Sequence, residues 1–143
     1  MPKRKKTLAK EKAWKEFSRY IRLRDCLRTT FTIDEGSCCT CSREFPFKQL
    51  QAGHFIPGRN NAVLFSEKGV HAQCYGCNMG KGGAYHDYWL FMERVYGRKE
   101  IDKQLRDRHK NVKYTEEDYQ KIALKFKKKA EKLIKEFQNG EIA

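Results

Sequence analysis

Long apolar runs are missing from this 143-residue sequence, and none approaches the roughly 20 residues that a membrane-spanning helix requires. The basic segment Lys3–Lys6 is not followed by an apolar stretch, so it lacks the pattern of a secretory signal. We therefore expect a cytoplasmic protein without a membrane partner.

Acidic side chains are also scarce, with 18 Asp and Glu against 31 Lys and Arg, and the formal net charge is +13. An excess of this size indicates a polyanionic partner, and each cation placed on a phosphate makes binding more sensitive to salt. An anionic membrane is the competing partner, but no basic amphipathic helix with a broad apolar face stands out. The charge balance therefore favours a nucleic acid.

Apolar residues make up only 39% of the chain, so the sequence can build one small core. Two Cys-x-x-Cys pairs, Cys38/Cys41 and Cys74/Cys77, suit a tetrahedral zinc ion better than disulfides in a reducing compartment. Cys39 does not reproduce the two-residue gap and is expected to be a spare thiol. Because four thiolates close the coordination shell, we expect the zinc to be structural and not catalytic.

Charge and apolar periodicity divide the chain into three parts. Residues 1–12 are expected to form a flexible basic arm, and residues 13–110 a zinc-stabilised domain that begins with an amphipathic helix. Residues 111–143 predict a C-terminal amphipathic helix, with Thr115 as its N-cap, packed on the domain. A homodimer contact is the alternative use of its apolar seam. The fold class is α+β, a small zinc-binding core with helices at both ends.

Aromatic residues recur at helical spacing over 84–96, where Gly97 supplies a stop, and a shorter helix is predicted over 99–109. An aromatic stripe at this spacing is more often part of the core than a surface for stacking on bases. We assign it to the core.

His54 and Asn78 are the candidates for chemistry. His54 lies in a short apolar run that predicts a strand over 50–56, and a neutral imidazole can take a proton from water. Asn78 directly follows the last zinc cysteine, and its amide oxygen is a hard ligand suited to Mg²⁺. A lone histidine in a strand is usually structural, so the hypothesis depends on both residues.

Together these residues resemble the HNH, or ββα-metal, nucleases, which are built on a treble-clef zinc scaffold. The closer resemblance is to the lambda phage NinG (Rap) recombination family. The matching segments span about 13–97 and are Tyr20–Asp25, Ala52–Phe55, His71-x-Gln73-Cys74-x-x-Cys77-Asn78 and Tyr96–Gly97.

The resemblance implies a metal-dependent endodeoxyribonuclease that cuts branched intermediates, such as Holliday junctions or D-loops, during phage recombination in the host cytoplasm. It implies that His54 is the general base, that Asn78 holds a catalytic Mg²⁺ or Mn²⁺, and that the four cysteines hold zinc. Two positions depart from the wider HNH pattern: Gly53 stands where an Asp often binds the metal, and Gly69 where an Asn commonly orients the histidine. His71 is the first candidate for replacement, as a ligand or to orient the phosphate, and Asp87 or Gln51 is the alternative source of a ligand oxygen.

Four basic residues are predicted to contact DNA: Arg22, Arg24, Arg59 and Lys81. The alternative to a nuclease is a catalytically inactive, zinc-dependent DNA-binding accessory protein in which His54 is structural.

Overall fold

Five α-helices and four short strands make up the computed structural model, which describes residues 2–141, with side chains from Arg4 onward. The helices are α1 (Pro2–Thr30), α2 (Asn61–Leu64), α3 (Tyr85–Tyr96), α4 (Arg98–Asp107) and α5 (Glu116–Gln138). The strands are β1 (Glu35–Ser37), β2 (Glu44–Pro46), β3 (Leu50–His54) and β4 (Val70–Cys74). The mixed α+β class predicted from the sequence is confirmed.

The first helix is longer than the sequence predicted. It begins at Pro2, so residues 2–12 are helical where we expected an irregular arm, and Met1 lies outside the described residues. Lys, Leu, Ala and Glu in this stretch are good helix formers. Ala9 and Ala13 pack against Tyr119 of α5, which gives the helix a tertiary contact that local charge does not reveal.

The last helix packs on the first. The Phe17 ring of α1 meets the Phe126 ring of α5 edge-on, with centroids 4.8 Å apart. The Thr115 hydroxyl accepts from the Asp118 backbone N–H while the Asp118 carboxylate accepts from that of Thr115, so the predicted N-cap is confirmed as a capping box. No helix within residues 2–141 is long and apolar enough to cross a membrane.

Two small antiparallel sheets carry the cysteine pairs. β1 pairs with β2, and the turn between them holds the first pair. β3 pairs with β4 in the register Leu50↔Cys74 to His54↔Val70, and the second pair begins at the end of β4. A π-helical turn over Gly76–Gly80 follows, so the cysteines fix where this turn starts.

α3 packs against the residues that follow β3 and contributes two side chains to a hydrophobic core cluster. Tyr88 and Met92 are fully buried with Phe55 and Ile101, which confirms the core assignment for this part of the stripe, whereas Tyr85 and Val95 are exposed. Gly97 ends the helix with a φ of 87°, a conformation in which glycine alone is unstrained.

Candidate metal centre and edge groove

The four predicted zinc ligands converge. The Sγ atoms of Cys38, Cys41, Cys74 and Cys77 all lie within 4.8 Å of one another, and those of Cys41 and Cys74 are 3.9 Å apart. Tetrahedral zinc with Zn–S bonds of about 2.3 Å needs sulfurs just under 4 Å apart. The cluster therefore fits a structural zinc ion, and Cys39 lies outside it, as the spacing predicted.

The ionisation of these thiols also fits a bound cation. Burial raises the pKa of Cys38, but hydrogen bonds from Thr40 and neighbouring backbone N–H groups outweigh it and lower the pKa to about 6. Burial raises the pKa of Cys77 to about 12, and a Cys38 thiolate adds to that shift. One thiolate is therefore favourable, while four together need the positive charge of a metal ion.

His54 ends β3, and its ring is held on two sides. It stacks on Trp14 with centroids 5.2 Å apart and planes 16° from parallel. Nε2 lies 3.1 Å from the Leu64 carbonyl oxygen at the end of α2. Because a carbonyl can only accept, Nε2 carries the proton and Nδ1 keeps its lone pair. The carbonyl thus orients the ring in the way the missing Asn at Gly69 was expected to do.

Burial lowers the pKa of His54 to about 4, and the positive charge of Arg59 acts in the same direction. The imidazole is therefore neutral at pH 7. That is the protonation state that a general base requires.

Asn78 lies in the π-helical turn, next to the zinc ligand Cys77. Its Nδ2 donates to Gln51 Oε1 at 2.8 Å, which leaves Oδ1 turned towards β3. A Cβ atom built on Gly53 would lie 3.1 Å from this Oδ1. The amide oxygen of Asn78 thus lies against the residue that immediately precedes His54.

Asn78 and Trp14, on which His54 stacks, border one groove of about 320 Å³, which we call the edge groove because it follows β3 on the side that β4 does not pair. Successive side chains of a strand point to opposite faces, so His54 extends towards α1 while Asn78 approaches from the opposite face. In the described part of the chain no hydrogen bond joins them. The lining residues are Trp14, Ser18, Arg22, Leu50, Gln51, Ala52, Arg59, Asn78 and Met79.

Two of the four predicted DNA contacts lie in this groove. Arg59 places its guanidinium 4.4 Å above the Trp14 ring, and Arg22 lies 4.5 Å above the ring of Phe47. Lys81 is exposed beyond the π-helical turn but does not line the groove.

Arg24 does not fit the predicted DNA contact. It is buried, pairs with Asp25 at 2.8 Å, and donates to the carbonyl oxygens of Glu67 and Val70. The sequence placed it on the outer face of α1, but the loop before β4 covers that face. Arg24 therefore holds the helix to β4.

His71 does not fit the predicted role at the metal either. It is buried, and burial lowers its pKa to about 3. Tyr96 donates to Nε2 at 2.7 Å, Nδ1 donates to the Tyr88 hydroxyl at 3.2 Å, and Tyr88 donates to the Gly53 carbonyl at 2.7 Å. Both ring nitrogens are thus used by this chain of hydrogen bonds, which fixes the backbone just before His54.

Sequence reasoning missed two residues of the site, Trp14 and Gln73. From the sequence, Trp14 is one of the apolar residues of the first helix, and Gln73 appears only within the family pattern. A Cβ on Gly53 would lie 1.8 Å from Gln73 Oε1, and a Cβ on Gly69 would lie 2.3 Å from Gln104 Oε1. Each glycine that departs from the HNH pattern therefore leaves space that a glutamine oxygen fills.

Residues 2–136 match the family described as Bacteriophage Lambda NinG protein. The chain belongs to the NinG family. NinG proteins are associated with phage recombination. The match extends beyond residues 13–97, which carry the sequence resemblance, and through most of α5. No curated protein and no solved structure matches the chain.

Proposed function

We propose that this NinG-family protein is a metal-dependent, HNH-type endodeoxyribonuclease that hydrolyses phosphodiester bonds in branched recombination intermediates such as Holliday junctions or D-loops. The observation that carries the proposal is the state of His54. Its ring is neutral, is oriented by Leu64 and Trp14, and keeps one free nitrogen beside a basic groove that also holds Asn78.

In this proposal His54 accepts a proton from the water that attacks phosphorus. Its low pKa keeps the base unprotonated before DNA binds. An anionic phosphate beside Arg59 would offset the arginine charge and raise the pKa of His54, which improves it as a base. Arg22 and Arg59 would hold the phosphate in the groove.

Asn78 would hold the catalytic cation, because its Oδ1 is a hard oxygen fixed next to β3 by the zinc cage. When bound, Mg²⁺ or Mn²⁺ supplies positive charge for the phosphate and for the leaving oxygen. The four cysteines leave no open position on zinc, so they have a structural role.

A treble-clef scaffold is supported by the order of the elements. A cysteine-bearing hairpin is followed by the β3–β4 pair and then by a helical turn that carries the second cysteine pair. The net charge of +13 supports DNA as the partner. A homodimer would present two grooves to two strands, which is how symmetric cutting of a branched junction is achieved.

The test is cleavage of Holliday junction, D-loop and linear duplex DNA with Mg²⁺ or Mn²⁺ by the parent protein and by His54→Ala. We expect the parent to prefer branched DNA and His54→Ala to cut about 100-fold more slowly or worse. His109→Ala, at an exposed histidine outside the groove, is the matched control and should cut like the parent.

Zinc content and circular dichroism establish that each variant is folded. A parent that never cuts, or a folded His54→Ala that cuts as fast as the parent, refutes the nuclease. DNA binding without cutting would then favour a zinc-dependent accessory protein.

A further inference from the structure

Gln73 carries a buried oxygen that has no hydrogen-bond partner within the described residues. The side chain is fully buried in β4, yet Oε1 accepts no hydrogen bond. A buried carbonyl oxygen left in this state normally destabilises the folded protein, so it calls for a reason.

The direction of this oxygen is fixed by the other end of the amide. Nε2 donates to the Gly83 carbonyl at 3.0 Å and to the Thr40 hydroxyl at 3.1 Å. Because the Gly83 carbonyl can only accept, the nitrogen must lie on that side and the oxygen must face Gly53. Thr40 also contacts Cys38 Sγ at 3.3 Å, so the zinc cage holds this amide in place.

A second amide oxygen lies at the same spot. The Cβ position of Gly53 is 1.8 Å from Gln73 Oε1 and 3.1 Å from Asn78 Oδ1, so the two oxygens are close neighbours. Neither oxygen accepts a hydrogen bond in the described part of the chain. Glycine at position 53 is what allows them to meet, since any larger residue would collide with Gln73.

We infer that Gln73 is a second protein ligand of the hard divalent cation proposed for Asn78, which is an inference that rests on the proposed function. In place of a carboxylate at position 53, the neighbouring strand delivers a carboxamide oxygen to the same place. Mg²⁺ and Mn²⁺ accept such neutral oxygens.

The chemistry of this pair sets a condition on binding. Two amide oxygens carry no net charge, and Mg²⁺ sites usually include a carboxylate or a phosphate. The missing negative charge comes from the DNA phosphate in the edge groove. Cation and DNA therefore bind cooperatively, and the cation binds weakly to the protein alone.

The experiment measures Mn²⁺ binding by electron paramagnetic resonance, with zinc-loaded protein and a Holliday junction, in the His54→Ala background so that the DNA stays intact. Binding to the same DNA without protein is subtracted. Adding Gln73→Ala should weaken Mn²⁺ binding by about tenfold or more, while DNA-free protein should bind weakly with or without the change.

Gln104→Ala in the same background is the matched control. Gln104 is also buried and also has an Oε1 without a hydrogen bond, but it lies on α4, where this oxygen faces Gly69 and Ser66 and not Asn78. The Gln104→Ala substitution should lower stability about as much as Gln73→Ala does, and it should leave the Mn²⁺ affinity unchanged.

A second measurement keeps Gln73 in place, in case its loss unfolds the protein. In nuclear magnetic resonance spectra of the same His54→Ala complex, Mn²⁺ should broaden the side-chain amide signals of Gln73 and Asn78 before that of Gln104. A Gln73 signal that survives while that of Asn78 disappears overturns the inference. So does a folded Gln73→Ala variant with unchanged Mn²⁺ affinity, or a complex that binds no Mn²⁺.

These outcomes separate the two proposals. If the parent cuts DNA but Mn²⁺ binding does not depend on Gln73, the proposal that Gln73 is a ligand is refuted and the proposed nuclease activity stands. Mn²⁺ binding that depends on Gln73 in a protein that never cuts supports the ligand and refutes the nuclease.

Discussion

At the scale of single residues, three of the arginines that the sequence predicts to contact DNA have different roles. Arg22 and Arg59 line the edge groove, whereas Arg24 is buried against Asp25. The carboxylate of Asp25 also accepts the Ala72 backbone N–H at 2.8 Å, so the pair connects α1 to β4.

Arg24→Ala should lower the free energy of unfolding by about 3 kcal/mol, because the buried Asp25 carboxylate then keeps only the more distant, exposed guanidinium of Arg28 at 4.0 Å. Arg59→Ala should instead weaken DNA binding with little change in stability. Urea unfolding and fluorescence anisotropy with labelled DNA separate the two effects. An Arg24→Ala protein as stable as the parent would contradict the structural role.

His54 also predicts a pH dependence of stability. Its folded pKa of about 4 lies below the ordinary value of 6.5, so between these values the unfolded chain binds a proton that the folded chain does not. Stability therefore falls as the pH drops from 6.5 to 4, and His54 accounts for on the order of 2 kcal/mol of that loss.

The measurement is urea unfolding across this range for the parent and for His54→Phe, which cannot titrate but keeps an aromatic ring against Trp14. The stability of the parent relative to this variant should decline with acid. Protonation of the zinc thiols acts on both proteins and cancels in the comparison. Parallel curves would show that the histidine is not buried as described.

At the scale of elements, the cluster of four cysteines connects the parts that carry the candidate site. It joins the β1–β2 turn to the end of β4 and to the π-helical turn that bears Asn78. The sequence predicted the cysteine pairs, a strand over 50–56 of which the structure forms Leu50–His54, and helices α3, α4 and α5. It did not predict the π-helical turn, because a five-residue segment with two glycines is too short to show an apolar periodicity.

Cys74→Ser should lose the zinc and unfold at least residues 36–97, because structural zinc contributes directly to folding. Cys39→Ser, which changes a thiol outside the cluster, should retain one zinc per chain. Atomic absorption and circular dichroism measure the two outcomes. A parent without zinc that stays folded would rule out the cage.

At the scale of the whole molecule, the basic excess and the long first helix act together. Residues 1–12 carry six Lys and Arg against one Glu, and residues 2–12 continue α1 beyond Trp14, the first helix residue that lines the groove. Their charge is not tied to one structural feature of DNA, so it should strengthen binding to any DNA.

Removing residues 1–12 should weaken binding to every DNA and flatten its dependence on salt, without changing which branched structure is preferred. Stability should fall modestly as well, because the contact of Ala9 with α5 is lost. Anisotropy titrations at several salt concentrations with junction and linear DNA test this. A selective loss of junction preference would mean that residues 1–12 recognise the branched DNA structure.

By itself, the sequence determined the four-cysteine cluster, the basic charge excess and the NinG resemblance, because cysteine spacing, net charge and short motifs are local or additive properties. Only the tertiary structure decided which polar residues face the groove. Arg24 and His71 are buried by segments distant in sequence, and Gln73 reaches the space beside Gly53 from the neighbouring strand. Such placements depend on strand register and helix packing, which no local pattern of residues encodes.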